Sequence, residues 1–298
     1  MNSSGKITSL LNQQRLLQLY QFHPKLKNIW YLVAAATLSV ANYPQEIPKV
    51  YHYAMQLTAK DADKYYVTLA HRTIELLNYY DPAQRRQAIE KEYEFPTEQQ
   101  AMVTKKLREA LLKTGPLAGL PRAINGLHAL KEYTPSKLRS KSTQIDAWEA
   151  AVRDEIPCPD TLRKMVGNKK DQVNIVHRGL QQWNYIYNKV SNRVVNNLHS
   201  SYPDLWYYTL VHCYGPLFSY DKILSSPETS MVVIASLVPQ DVNPQLKGHL
   251  RGALNVGCDY ESVEAVRTLA ILVSEWCGIK WTDGVVKLKP KKLLINTK

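Results

Sequence analysis

The 298-residue chain is poor in cysteine, glycine and phenylalanine, and carries no acidic residue before Glu46. Its four cysteines, Cys158, Cys213, Cys258 and Cys277, stand far apart, with no C-x-x-C and no Cys/His cluster at zinc-ligand spacing. Neither a dithiol nor a structural zinc is therefore expected. So few thiols, with no signal peptide at the start, point to a reducing intracellular compartment. The 12 glycines are too few for a fibre, and 45% hydrophobic residues are too many for a disordered tail. A chain of this length buries a sizeable core without staples. The most apolar stretch, Trp30 to Ala41, stops at Asn42-Tyr43-Pro44, short of the roughly 20 residues that cross a bilayer, so no membrane span is expected. Gly-rich phosphate loops, H-E-x-x-H and G-x-S-x-G are all missing, which removes nucleotide hydrolysis, zinc proteolysis and elbow-serine hydrolysis and leaves no cofactor or metal to expect.

What is present begins with charge. Lys and Arg number 38 against 26 Asp and Glu, a formal +12, which suits nucleic acid, an anionic surface or an acidic small molecule. Basic and aromatic residues mingle at Trp183-Asn184-Tyr185-Ile186-Tyr187 and Trp206-Tyr207-Tyr208. Such mingling can bind single strands, but Trp and Tyr at helical spacing more often pack helices, which makes nucleic-acid binding the weakest alternative. The start, with Lys6, Arg15, Lys25 and Lys27 among Ser, Asn and Gln, has the composition of a mitochondrial import segment, but Ile7 to Phe22 reads equally as an amphipathic helix. The final Asn296-Thr297-Lys298 is not a standard peroxisomal tripeptide. Peroxisomal matrix and mitochondrion stay open as locations.

Apolar residues recur at three- and four-residue intervals almost throughout, and alternating runs are hard to find, which predicts an all-α fold. Expected helices include Asn28 to Ala41, Gln45 to Leu57, Ala62 to Tyr80, Thr97 to Lys113, Leu120 to Lys131, Thr143 to Asp154, Pro159 to Met165, Gln172 to Leu198, Asp204 to Tyr214, Pro227 to Leu237, Pro244 to Gly257 and Glu261 to Cys277. Thr97-x-x-Gln100 has capping-box spacing, Asn243-Pro244 offers an N-cap and N1 pair, Gly257 a left-handed cap, and Tyr214-Gly215-Pro216 a helix stop. The charged stretch Lys131 to Lys141 reads as a linker, giving an N-terminal unit over 1–134, a connector over 135–200 and a C-terminal unit with a basic tail over 201–298.

One self-match runs through this pattern. Residues 36–55 align without a gap on 235–254, and Leu107 to Leu120 lies on Val266 to Ile279 in the same order, ending at Gly119 and Gly278. The chain reads as two divergent copies of one helical unit, the first carrying a helical insertion at Tyr65 to Phe95.

The second copy carries a resemblance. Pro227-Glu228-Thr229-Ser230-Met231, then Gln245-Leu246-Lys247-Gly248-His249-Leu250-Arg251-Gly252-Ala253-Leu254, then Glu261 to Val266 and Trp276-Cys277-Gly278-Ile279, resemble the carboxymuconolactone decarboxylase family of the alkylhydroperoxidase D-like superfamily. The whole layout is similar to a fungal-type, two-unit branch of it. The resemblance implies two all-α units and self-association through their helices. Peroxidase members use a C-x-x-C activated by Glu and His; here the corresponding Ala235-Ser236-Leu237-Val238 has no sulfur, so thiol peroxidase chemistry lacks its nucleophile. Decarboxylase members share the His. The resemblance thus implies His249 as general acid/base with Glu228 as its catalytic partner; Arg251 on the same helix and Gln240 in the turn before it are the candidate contacts to an acidic substrate. Decarboxylation delivers a proton to carbon as carbon dioxide leaves, and a near-neutral imidazole suits that work. Val50 stands where the first copy would need that His, which makes the first copy scaffold. The competing function is an inactive oligomeric scaffold of the same fold.

Overall fold

The structure is a computed structural model that describes residues 9–79, 81–140, 160–163 and 169–288. Among the described residues every regular element is helical. Helix α1 (Gln13–Gln21) is capped by Asn12, whose side chain accepts from the Arg15 N–H at 2.9 Å. It starts later than the apolar spacing suggests. Leu10 and Leu11 instead donate their N–H groups to the buried carboxylate of Glu46, at 3.0 and 2.9 Å, and two charge-assisted bonds outweigh one more helical turn.

Helices α2 (Trp30–Val40) and α11 (Ser226–Leu237) form the centre. All of α2 and residues 229–237 of α11 are buried, as a helix without a polar face must be. Small residues let the two touch: the Thr37 hydroxyl donates to Val33 O at 2.9 Å and lies 3.2 Å from Ala235 O across the contact. Helices α6 (Glu98–Ala118) and α13 (Tyr260–Trp276) flank them, each packing on both central helices. A 3₁₀ turn leads from α2 to α3 (Ile47–Gln56), and another from α11 to α12 (Asn243–Asn255). Helices α4 (Ala62–Leu77) and α5 (Pro82–Glu92) occupy the stretch expected as an insertion, and α7 (Leu120–Tyr133) follows α6. One hydrophobic cluster runs through both halves.

The aligned stretches follow the same local path. The alignment pairs Asn42 with Asp241, and both are left-handed, at φ 62° and 56°. It also pairs Gly119 with Gly278, at φ 93° and 78°. Asn and Asp are the side chains that tolerate this conformation best.

Between the halves, α8 (Lys169–Tyr187) ends in a 3₁₀ turn at Asn188–Val190, followed by α9 (Ser191–Ser201) and α10 (Pro203–Tyr207). Helix α10 runs into a π-helix, Tyr208–Phe218. The single helix expected over 172–198 is broken where Asn188 turns left-handed, φ 46°. Tyr214-Gly215-Pro216 is not a stop but lies inside the π-helix. Pro216 has no N–H to give and would clash with the carbonyl four residues back. The wider π turn removes the conflict: the Ser219 N–H reaches Tyr214 O at 2.9 Å. The Gly215 carbonyl, released from the ladder, accepts from the Ser219 hydroxyl at 2.6 Å and Arg178 at 3.1 Å.

Asn243 begins α12 without capping it; its amide donates to Gly284 O and its oxygen accepts from Val286 N–H, tying down the C-terminal segment. The stretch drawn as a linker is docked, with Ser136 donating its N–H and hydroxyl to Glu90. The helix expected over 143–154 lies outside the described residues, and residues 160–163 of the one expected over 159–165 are not helical. No helix among the described residues is long and apolar enough to cross a membrane.

Helix α8 crosses the π-helix glycine on glycine. A β-carbon on Gly179 would lie 2.6 Å from Gly215 N and 2.7 Å from its Cα, against backbone that cannot step aside. Gly179→Ala is expected to cost about 3 kcal/mol. Gly248→Ala in α12, where the nearest atom is 3.9 Å away, should instead stabilise by about 0.5–1 kcal/mol. Thermal unfolding of the two variants checks this, and equal midpoints would contradict the close crossing.

Candidate functional site

Leu246, Leu250 and Ala253 bury one stripe of α12, and His249 lies half-buried at its edge. Gly252 lets α8 approach that edge: a β-carbon there would fall 2.5 Å from Ile186 Cγ2. The Asn255 amide pins the crossing by donating to Ile186 O at 2.8 Å. The next residue, Tyr187, thereby sets its hydroxyl 3.4 Å from His249 Nε2, with the rings edge to face. Tyr214 of the π-helix is buried nearby, on the ring of Trp183. Trp183 stacks on Tyr187 at 4.1 Å and packs against Tyr214 and Trp206 at 4.8 and 4.9 Å. Its indole N–H is buried without a hydrogen-bond partner among the described residues.

Burial sets the protonation of this group. It lowers His249 to about 4 and raises both tyrosines, Tyr214 well above its ordinary value. The imidazole is thus neutral at pH 7, below the near-neutral titration that proton delivery would favour. The Nδ1 atom has no hydrogen-bond partner among the described residues.

The other three predicted residues are not hydrogen-bonded to His249 or to each other. Glu228 closes a capping box with Ser225 and pairs with Lys106 of α6 at 2.5 Å. Burial alone would raise its pKa, but Lys106 and the Ser225 N–H and hydroxyl hold it below the usual carboxylate value. Gln240 donates to Ser236 O at 2.7 Å, finishing α11. Arg251 is exposed. An open groove of about 420 Å³ is lined by Glu275, Gly278, Ile279, Lys280 and Trp281 and includes none of the four. Cys213 and Cys258 are buried free thiols and Cys277 is half-buried. Burial, assisted by Asp259 and Glu46 respectively, pushes Cys258 to about 11 and Cys277 to about 12. Cys158 lies outside the described residues.

Sequence reasoning passed over two polar sites. Lys113 of α6 is fully buried, donating to Thr229 Oγ1 at 2.7 Å and Tyr220 O at 3.0 Å, with the Glu109 carboxylate 3.5 Å away. Arg163 also bonds Glu109 and lies over the Tyr220 ring. Burial lowers Lys113 to about 8 although Glu109 opposes the shift. In the first half, His52 is buried between the Tyr93 hydroxyl and Tyr133 O, and burial lowers it to about 3.

These two histidines make stability pH-dependent. Both are neutral when folded and titrate near 6.5 when unfolded, so the unfolded chain binds more protons below that value. Stability is complete above about pH 6.5 and falls as pH drops towards 4, with His52 alone contributing on the order of 4 kcal/mol. Melting temperatures between pH 6.5 and 4.5 should decline in the wild type and decline less in His52→Gln. Parallel curves would contradict the assignment.

Over 284 residues the chain is 62% identical to "Peroxisomal protein 2" of Saccharomyces cerevisiae, a match covering 95% of this chain and all of that protein. The chain belongs to the peroxisomal protein 2 family. The Schizosaccharomyces pombe protein of the same name is 37% identical over 183 residues, covering 61% of this chain and 75% of its own length. No family model matches the chain. The family is named for an organelle and not for a reaction.

Proposed function

We propose that this chain is a peroxisomal protein with the two-unit carboxymuconolactone decarboxylase-like fold, binding an acidic small molecule beside His249 and transferring a proton to it. The name shared by both relatives supports the peroxisome over the mitochondrion. One observation carries the chemistry: the Tyr187 hydroxyl lies 3.4 Å from His249 Nε2, while Nδ1 has no hydrogen-bond partner among the described residues.

In the free protein Tyr187 donates to Nε2, and the single imidazole proton sits on Nδ1. A carboxylate arriving at Nδ1 brings negative charge that favours the imidazolium and raises its pKa. The added proton is then held at Nε2 and donated to the Tyr187 oxygen, whose own proton turns away from the ring. Only hydroxyl rotations are needed. As the bond to a substrate carboxylate breaks and carbon dioxide leaves, the electron pair rests on a lactone carbonyl as an enolate, and His249 returns a proton to carbon. Arg251, exposed two residues on, supplies a cation for a second carboxylate. Glu228 is already engaged by Ser225 and Lys106, so proton transfer is assigned to His249 alone. Self-association of copies is part of the same proposal.

A scaffold role is favoured by a specific observation, the separation of Glu228 and Gln240 into capping duties. Purified chain tested against carboxylated lactones, keto acids and peroxides separates the two. Carbon dioxide release from a lactone acid is expected, and failure with every compound by a folded oligomer would favour the scaffold.

A further inference from the structure

The connector between the two aligned halves ends in a hairpin tip formed by the end of α8, the 3₁₀ turn, α9, α10 and the first π-helical residues. Large apolar side chains stand in solvent there: Tyr185 is 67% exposed, Tyr202 61%, Tyr207 57% and Tyr208 56%, with Leu205 at 42%. Trp206 of the same short helix turns inward onto Trp183, so the outward rings are not a consequence of an unpacked helix. Tyr207 and Tyr208 both lie against the exposed ring of His212, at 5.5 and 5.6 Å, and form one cluster.

Charge is sparse at this tip. Residues 184–210 hold Lys189, Arg193 and Asp204 as their only full charges, so almost all of the chain's +12 lies elsewhere. Phosphate backbones and anionic headgroups are bound by clustered Lys and Arg, which this surface lacks. Between two copies related by a twofold axis, one patch must complement itself. A patch of one charge sign repels its copy, whereas the exposed amides of Asn192, Asn196 and Asn197 and the tyrosine hydroxyls carry donors and acceptors together. Interface cores are rich in Tyr and poor in Lys. Two strongly basic molecules also meet least repulsion where their charge is lowest.

We propose that the tip, residues 185–208, is the surface through which two copies of this chain pair; this rests on the self-association put forward above. Sedimentation equilibrium of the full chain over a concentration series, at physiological salt, tests it. The wild type is expected to show a monomer–dimer equilibrium, which Leu205→Glu with Tyr208→Glu weakens by about 30-fold or more. Tyr202→Ser with Tyr207→Ser is a milder second variant, expected to weaken it less, should the first fail to fold by circular dichroism. Phe95→Glu, outside the tip and 82% exposed, should leave pairing unchanged. A dimer unaffected by either tip variant overturns the surface but not self-association. A wild type that is monomeric at every concentration overturns both. Monomeric protein that sediments with phosphatidylserine vesicles through the same residues would make the occupant a membrane and overturn the pairing proposal.

Discussion

Glu109→Leu should destabilise the fold by about 3–5 kcal/mol, the cost of removing one partner from a buried ion pair. Glu109 is 3% exposed and Lys113 0%. The carboxylate is shared by Lys113 and Arg163, so its loss leaves a fully buried ammonium beside a second cation with no counter-charge between them. Lys113 already releases its proton near pH 8, and without Glu109 it should do so lower still. The network also joins α6 to Thr229 of α11 and to Tyr220, so the damage falls on the contact between the two halves. The double variant Glu109→Leu, Lys113→Met removes one of the stranded cations and should recover much of the loss. Denaturant unfolding of the singles and the double closes the cycle. A Glu109→Leu midpoint equal to that of the wild type would show the cluster to be solvated.

His249→Gln should lower turnover of a lactone acid by roughly 10²- to 10⁴-fold while keeping the fold, the usual contribution of a positioned proton-transfer group. Glutamine retains a side chain of similar reach and can bond the Tyr187 hydroxyl, so packing of α12 on α8 survives. Tyr187→Phe keeps the imidazole but removes the group that holds Nε2. It should reduce turnover less and move the acid limb of the pH profile, a change that simple loss of packing would not produce. Arg251→Gln should act on KM more than on kcat, because an exposed cation contributes to binding a carboxylate in ground and transition states alike. Unchanged turnover in a well-folded His249→Gln protein would remove His249 from the site.

Much of the fold could be read from periodicity. Helices α2, α11, α12 and α13 lie close to their expected spans because apolar spacing, caps and burial agree there. Thr97 and Gln100 form the expected capping box for the same reason. Local signals failed where a distant partner decided the matter. Glu46 captures Leu10 and Leu11 from a helix start, and Arg178 with Ser219 lets the chain run through Gly215-Pro216 as a π-helix. Glu46 and Arg178 lie 35 to 37 residues away from the groups they bond. At the site, the stripe of Leu246, Leu250 and Ala253 put His249 at the core's edge, where the structure has it. Its companion Tyr187 was invisible, because it arrives from another helix through Gly252 and Asn255. Lys113, four residues after Glu109, resembles an ordinary surface pair, and only the packing of α11 over it reveals that it is buried.

The most direct test of the central claim is the titration of His249 itself, followed by NMR of its ring signals with and without a carboxylated γ-lactone. In the free protein the midpoint should lie near 4, where burial holds it, and binding of the lactone should raise it towards neutrality as the imidazolium gains a counter-charge. A midpoint close to the ordinary 6.5 that does not move at saturating lactone would contradict a buried imidazole facing an acidic ligand.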